Sequence, residues 1–264
     1  MDIPFSPDLV VGAVRVSWHS IFSFVGALVA TAISVRLSRY LLRDDRVYGF
    51  AIAVLVGGLF TAHIGNIADN WARYMAHPER ILPFWGGIAV TAAPIGATIG
   101  GVLAARRLRL PVGFMLDVAA IGIVVGLAVG RVGDVINGEH HAVACSGLLW
   151  CVRYTSPDTL GQRHFVHPIV VYDGLVDLAL AAVGYAYWRR VRGHAPEGRV
   201  YLLVLGLYGL GRALTSLLRL DPVVLGPLQE GQVLGILYAC GALPALAVIE
   251  IRGSKRVLAA RPAI

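Results

Sequence analysis

Between Gly130 and His141 the chain reads Gly130-Arg131-Val132-Gly133-Asp134-Val135-Ile136-Asn137-Gly138-Glu139-His140-His141. One guanidinium, two carboxylates, an amide and two imidazoles fall within this short stretch. The planar fork of Arg131 suits a phosphate. Gly130, Gly133 and Gly138 let backbone come close to a bound group. The carboxylates and imidazoles are groups that can move protons. An almost purely apolar run, Val118 to Val129, leads directly into the stretch. Ionisable groups at the mouth of a membrane span are costly and usually retained for a task. The plainer reading is a solvated loop that caps a helix.

Elements that hold such a stretch must be membrane helices. Of 264 residues, 57% are hydrophobic and 15% charged, and the mean hydropathy is +0.70. Those values are too apolar for a soluble domain and describe a polytopic membrane protein. The formal net charge of +7 then records topology and contact with anionic lipid rather than nucleic acid. Residues 1–17 lack a basic segment followed by an apolar core, so no cleaved signal peptide is expected. A span takes roughly 20 apolar residues, and seven stretches qualify: about 19–41, 48–67, 83–104, 112–130, 168–188, 200–218 and 231–250. Basic clusters follow spans one, three, five and seven, at Arg39/Arg43/Arg46, Arg106/Arg107/Arg109, Arg189/Arg190/Arg192/Arg199 and Arg252/Lys255/Arg256/Arg261. The positive-inside rule puts all four in the cytoplasm. The expected fold class is an all-α integral membrane protein of seven transmembrane helices. Its N-terminus is outside and its C-terminus cytoplasmic. The chain forms one transmembrane domain, 1–264, with an extracytoplasmic loop at about 131–166.

Several polar residues sit at membrane depth. Asp173 and Asp177 are spaced i,i+4, so they share one face of the fifth span. Arg212 lies in the outward half of the sixth span, either as their structural partner or as a ligand for an anion. Asp117, near the inner end of the fourth span, is read as a contact for headgroups or neighbouring backbone. The pairs Gly57-Gly58, Gly86-Gly87 and Gly100-Gly101 mark tight helix contacts. Around 86–96 they accompany Thr91 and Pro94, which suggests a bent third span beside an internal pocket. Cys145 and Cys151 share the extracytoplasmic side, where a disulfide is permitted; buried free thiols are the other reading. Cys240 reads as a packing residue. No cysteine or histidine spacing signals a metal site.

The ordered motifs resemble one family. Residues 130–139 are similar to the prolipoprotein diacylglyceryl transferase signature GRxGNFxNGE, and His140-His141 and Leu148-Leu149-Trp150 to its GEHHG…LPWG continuation. His167-Pro168-Ile169-Val170-Val171-Tyr172-Asp173 resembles the HPxQLYE segment, Tyr208-Gly209-Leu210-Gly211-Arg212 the YGxxR motif, and Gly231-Gln232 the GQ that opens the last span. The resemblance implies an enzyme that moves the diacylglyceryl group of phosphatidylglycerol to the lipobox cysteine of a preprolipoprotein. It releases glycerol 1-phosphate and forms a thioether in the plasma membrane, without cofactor, metal or nucleic acid. It further implies that Arg131 and Arg212 serve the phosphodiester, with Glu139 catalytic beside them. Asn137, Gly138, Tyr208, His140 and His167 would line the substrate site.

Four positions depart from the family pattern. Thr91 stands where the third span usually carries histidine or tyrosine (GGxxFHGG), and threonine is no base near neutral pH. His19, in Trp18-His19-Ser20, replaces the tyrosine of WYG. It is either a compensating catalytic imidazole or an interfacial residue with a satisfied hydrogen bond. Asp134 replaces an asparagine and puts a negative charge beside the expected phosphate, unless Arg131 or Arg212 pairs with it. Ser216 replaces a glutamate. These departures motivate the other reading, a catalytically silent relative that binds phospholipid or lipoprotein precursor. A transporter has less support, because no internal repeat is visible and the ionisable groups gather at one face.

Overall fold

The computed structural model describes residues 1–12, 14–82 and 89–259. It opens with three short strands, β1 (Asp2–Ile3), β2 (Asp8–Val11) and β3 (Val14–Ser17). Then come α1 (Trp18–Ser38), α2 (Arg46–Asp69), α3 (Trp71–Ala76), α4 (Ala93–Arg107) and α5 (Val112–Asn137). After β4 (Arg153–Tyr154) follow α6 (Ile169–Val191), α7 (Arg199–Thr215), the strands β5 (Val223–Leu225) and β6 (Leu228–Gln229), and α8 (Glu230–Ala259). Among the described residues, α1, α2, α5, α6, α7 and α8 are long and apolar enough to cross a membrane, six rather than the expected seven. The expected span at 83–104 is represented by α4 and a preceding 3-10 turn, Val90–Ala92. Residues 83–88, with the Gly86-Gly87 pair, lie outside the described residues. Fifteen residues of α4 rise about 22 Å, short of a hydrocarbon core of roughly 30 Å. Pro94 stands in the first turn of α4, where its missing N–H costs nothing, so it opens the helix instead of bending a longer one.

Bare backbone makes the tightest helix pairs. A Cβ on Gly126 of α5 would meet the Gly26 carbonyl of α1 at 2.5 Å. One on Gly96 of α4 would meet the Gly57 carbonyl of α2 at 2.0 Å, and one on Gly209 of α7 the Gly235 carbonyl of α8 at 2.4 Å. These are small-residue interfaces of the kind that let membrane helices approach without a hydrophobic driving force. α5 is the innermost helix and packs on α1, α4, α6 and α7. Met115 and Val118 are fully buried there, with Phe50 of α2 and Val200 of α7 in the same cluster. Cys240 of α8 is exposed on the outer surface of the bundle rather than packed.

α5 and α7 satisfy each other's open ends. Asp117 accepts hydrogen bonds from the N–H groups of Gly198 (2.9 Å) and Tyr201 (2.8 Å), at the start of α7. Glu197 accepts one from Phe114 N–H, at the start of α5 (3.1 Å). Both carboxylates fill donors that a helix cannot satisfy internally. Neighbouring backbone, the second option for Asp117, is thus its partner.

At the opposite end of α5 the chain builds a small polar cap. Cys145 and Cys151 are joined, with Cα atoms 5.7 Å apart, so the pairing that the sequence leaves open is made. β4 pairs in parallel with β1, and Arg153 donates to both carboxylate oxygens of Asp2 (2.7 and 3.1 Å). That bidentate contact holds the Asp2 carboxyl below the usual carboxylate range. Tyr154 is buried between Gly138 and Gly161 and donates to the Val135 carbonyl (3.0 Å). Burial, helped by the charge of Asp134, pushes its phenol up to about 12, so it stays a donor.

Candidate active site

The apolar run of α5 ends at Val129, but the helix does not. It continues to Asn137, so Arg131, Asp134 and Asn137 lie on one helical face and are all buried. The expected span ends at 130; the helix goes on because Arg131 and Asp134 find partners on α6 and α1. Gly138 then stops it in the left-handed conformation (φ 79°), which glycine adopts without strain.

Arg131 Nη1 donates to Asp134 Oδ2 at 3.3 Å, and its Nε stands 3.6 Å from Asp177 Oδ2 on α6. Arg212 of α7 donates through Nη1 to Asp173 (3.4 Å) and through Nη2 to Asp221 (3.5 Å). Asp173 and Asp177 are one turn apart, so the two arginines approach the same face of α6 from different helices. Pairing with Asp134 also offsets the negative charge that replaces asparagine. The Nε atoms of both arginines are buried without a hydrogen-bond partner among the described residues, as are Asp177 Oδ2 and Ser216 Oγ. Buried, unspent donors are expensive unless something else accepts from them.

A third guanidinium escapes the sequence reading. Arg219, almost fully buried, donates to Asp221 (2.7 Å), to Asp173 (3.1 Å) and to His140 Nδ1 (2.8 Å). Its one signal is its position seven residues after Arg212, two helical turns on, but the intervening Ser216-Leu217-Leu218 reads as a span end.

His19, at the start of α1, lies with Nδ1 2.5 Å from Asp134 Oδ1 and 3.7 Å from Glu139. His140 Nε2 lies 3.7 Å from Asp134 Oδ2. His19, Arg131, Asp134, Glu139, His140 and Arg212 are therefore one connected polar cluster. His19, Asp134 and Glu139 present ligand atoms within 4.8 Å of one another, as a cation site would. Against that use, both oxygens of Asp134 already receive donors from His19 and Arg131, and Arg212 and Arg219 add further positive charge nearby.

Two candidates stand apart. His167 shares its Nδ1 with the Tyr172 hydroxyl (3.2 Å), which accepts from Trp150 (2.8 Å), in the polar cap. Thr91 is buried in the turn before α4, where its carbonyl accepts from Tyr238 (2.7 Å). Tyr208, buried one turn before Arg212 on α7, lines an apolar cleft. That cleft, about 110 Å³ in volume, runs between α2, α4, α5 and α7, from Pro94 and Thr98 past Leu127 to Tyr208. The pocket expected beside the third span is present.

A polytopic helical membrane protein with buried guanidiniums one turn beyond the residues that line an apolar cleft has the parts of an enzyme acting on an anionic, lipid-like substrate. Residues 8–248 match the family model described as prolipoprotein diacylglyceryl transferase. The chain is similar to three proteins named phosphatidylglycerol–prolipoprotein diacylglyceryl transferase. The one from Nostoc sp. is 30% identical (92% of this chain, 88% of the relative) and that from Dehalococcoides mccartyi 31% identical (93% and 94%). The third, from Clostridioides difficile, is 28% identical (87% and 89%). The chain belongs to the prolipoprotein diacylglyceryl transferase family. It is a multi-pass transferase of the bacterial plasma membrane, acting in lipoprotein biosynthesis.

Proposed function

We propose that the chain moves the diacylglyceryl group of phosphatidylglycerol to the lipobox cysteine of a preprolipoprotein. The observation that carries this is the pair Arg131 and Arg212, brought from α5 and α7 to one face of α6. The Nε of Arg212 has no hydrogen-bond partner among the described residues, that of Arg131 faces Asp177 at 3.6 Å, and Tyr208, one turn before Arg212, lines the apolar cleft. In this reading the acyl chains lie in the cleft and the phosphodiester bridges the two guanidiniums. Asn137, Gly138, Glu139 and His140 surround the glycerol headgroup. The acceptor thiolate attacks the glyceryl carbon; the S–C bond forms, the C–O bond breaks, and glycerol phosphate leaves with the electron pair. The arginines act by stabilising charge as it collects on the leaving phosphate.

The same reading has seven crossings, with α4 and the residues before it forming the third, the N-terminus outside and the C-terminus cytoplasmic. The basic clusters at Arg39–Arg46, Arg106–Arg109, Arg189–Arg199 and beyond Arg252 support it. The polar cluster and the Cys145–Cys151 disulfide then share the outer face, which is oxidising.

Truncating either arginine would strip buried aspartates of their counter-charge, so the test uses lysine. Arg131→Lys and Arg212→Lys keep the charge and lose the fork. Each is expected to lower transfer from phosphatidylglycerol to a lipobox peptide by roughly 10²-fold or more while the protein inserts normally. Mass gain on the peptide cysteine is the readout. Parental rates in either variant remove the phosphate assignment.

A further inference from the structure

We propose that His19 is the base that takes the proton of the acceptor thiol, and that Asp134 is the positioning residue that aims it. The proposal rests on the transfer reaction put forward above. His19 Nδ1 lies 2.5 Å from Asp134 Oδ1. A carboxylate accepts, so the hydrogen sits on Nδ1 and Nε2 keeps its lone pair. His140 is set the other way. Its Nδ1 accepts from Arg219 Nη2 at 2.8 Å, which places its hydrogen on Nε2, toward Asp134. The lone pair of His140 is spent, whereas among the described residues no hydrogen bond reaches His19 Nε2. A quarter of the His19 side chain (26%) is exposed, against 8% for Asp134, so the ring is open to a substrate and its anchor is not.

The charged groups facing the ring support this assignment. Asp134 comes from α5, Glu139 from the segment after it at 3.7 Å, and Arg131 stands behind Asp134 at 3.3 Å with His140 on its far side. Two carboxylates close to the ring stabilise the imidazolium that forms when the proton arrives. Backbone sets the register. A Cβ on Gly133 would meet Trp18 O at 2.6 Å and His19 Cα at 2.8 Å, so only a bare residue lets α5 press against α1 at this point. His19 and Asp134 are also two of the four positions that depart from the family motif, and they touch each other.

In the step itself, the cysteine S–H proton passes to His19 Nε2. The thiolate pair forms the S–C bond to the glyceryl carbon as the C–O bond breaks onto the phosphate oxygen. The imidazolium then releases its proton to solvent.

The experiment is kcat for transfer from phosphatidylglycerol to a cysteine peptide, measured over roughly pH 5 to 9, across the range where an imidazole titrates. Asp134→Asn keeps the shape and removes the charge. It is expected to lower kcat by about 10- to 100-fold and to move the acid limb of the profile to lower pH, because the imidazolium loses its partner. His19→Ala is expected to lose about 100-fold or more, with part of the rate restored by added imidazole. An Asp134→Asn limb that stays in place, or a His19→Ala rate within a few-fold of the parent, overturns the dyad while leaving the proposed function standing. A parent protein that transfers nothing overturns both. Should His19→Ala fail to insert, Asp134→Asn and His19→Gln decide between these outcomes by the same profile.

Discussion

Asp173 takes hydrogen bonds from two arginines, Arg212 and Arg219, while Asp177 and Asp134 share Arg131. A buried ion pair adds little net stability, but breaking one strands its partner at a cost of roughly 3–5 kcal/mol. Arg219→Gln would leave both Asp173 and His140 short of a donor. It is expected to destabilise the protein by about 3 kcal/mol and to cut transfer sharply, read by thermal unfolding in detergent beside the peptide assay. Asp221, more than a quarter exposed, is partly screened by solvent. Asp221→Asn should therefore cost less than about 1 kcal/mol. Equal effects of the two substitutions would show that Arg219 does not organise the cluster. At this scale the sequence is legible where chemistry is local. Arg131 and Arg212 stand in recognisable motifs, and the i,i+4 spacing puts Asp173 and Asp177 on one face. Arg219 stays hidden because its role depends on Asp173 and His140, 46 and 79 residues away.

Helices here are located by what they lack. Gly126→Ala puts a methyl group against the Gly26 carbonyl at 2.5 Å, and backbone cannot move aside as a side chain can. Gly130→Ala, one turn on, meets nothing nearer than 4.0 Å. The first substitution is expected to destabilise the bundle by about 1–3 kcal/mol and the second to leave the unfolding temperature unchanged; similar temperatures for both would argue against backbone contact between α1 and α5. The glycine pairs announce such contacts, yet apolar runs misplace the ends of elements. α5 outlasts its hydrophobic stretch because Arg131, Asp134 and Asn137 are sheltered by other helices, which no hydropathy window records. Within the third expected span, the described residues make a 3-10 turn and then start α4 afresh at Ala93-Pro94.

For the whole molecule, the proposed orientation makes a testable separation of faces. A single cysteine placed at Asp158, in a background without native cysteines, should react with an impermeant thiol reagent on intact spheroplasts. One placed at Arg107 should react only after permeabilisation. Labelling of Arg107→Cys from outside would invert the topology and move the polar cluster to the cytoplasm. Composition and the arginine clusters are enough to read a polytopic membrane protein. The tie between β1 and β4, which brings residues 2 and 153 side by side, has no local signature at all.

α5 serves as a ruler between the two faces of the bundle. Its first turns are pinned to α7 through Asp117 and Glu197, and its last carry Arg131, Asp134 and Asn137. Each added residue in a helix advances the phase by about 100° and the length by about 1.5 Å. One insertion between Asp117 and Arg131 would turn the guanidinium away from α6 even with every side chain intact. Drift in this protein can therefore exchange residues at the polar end, as at Asp134, far more easily than it can change the count that leads there.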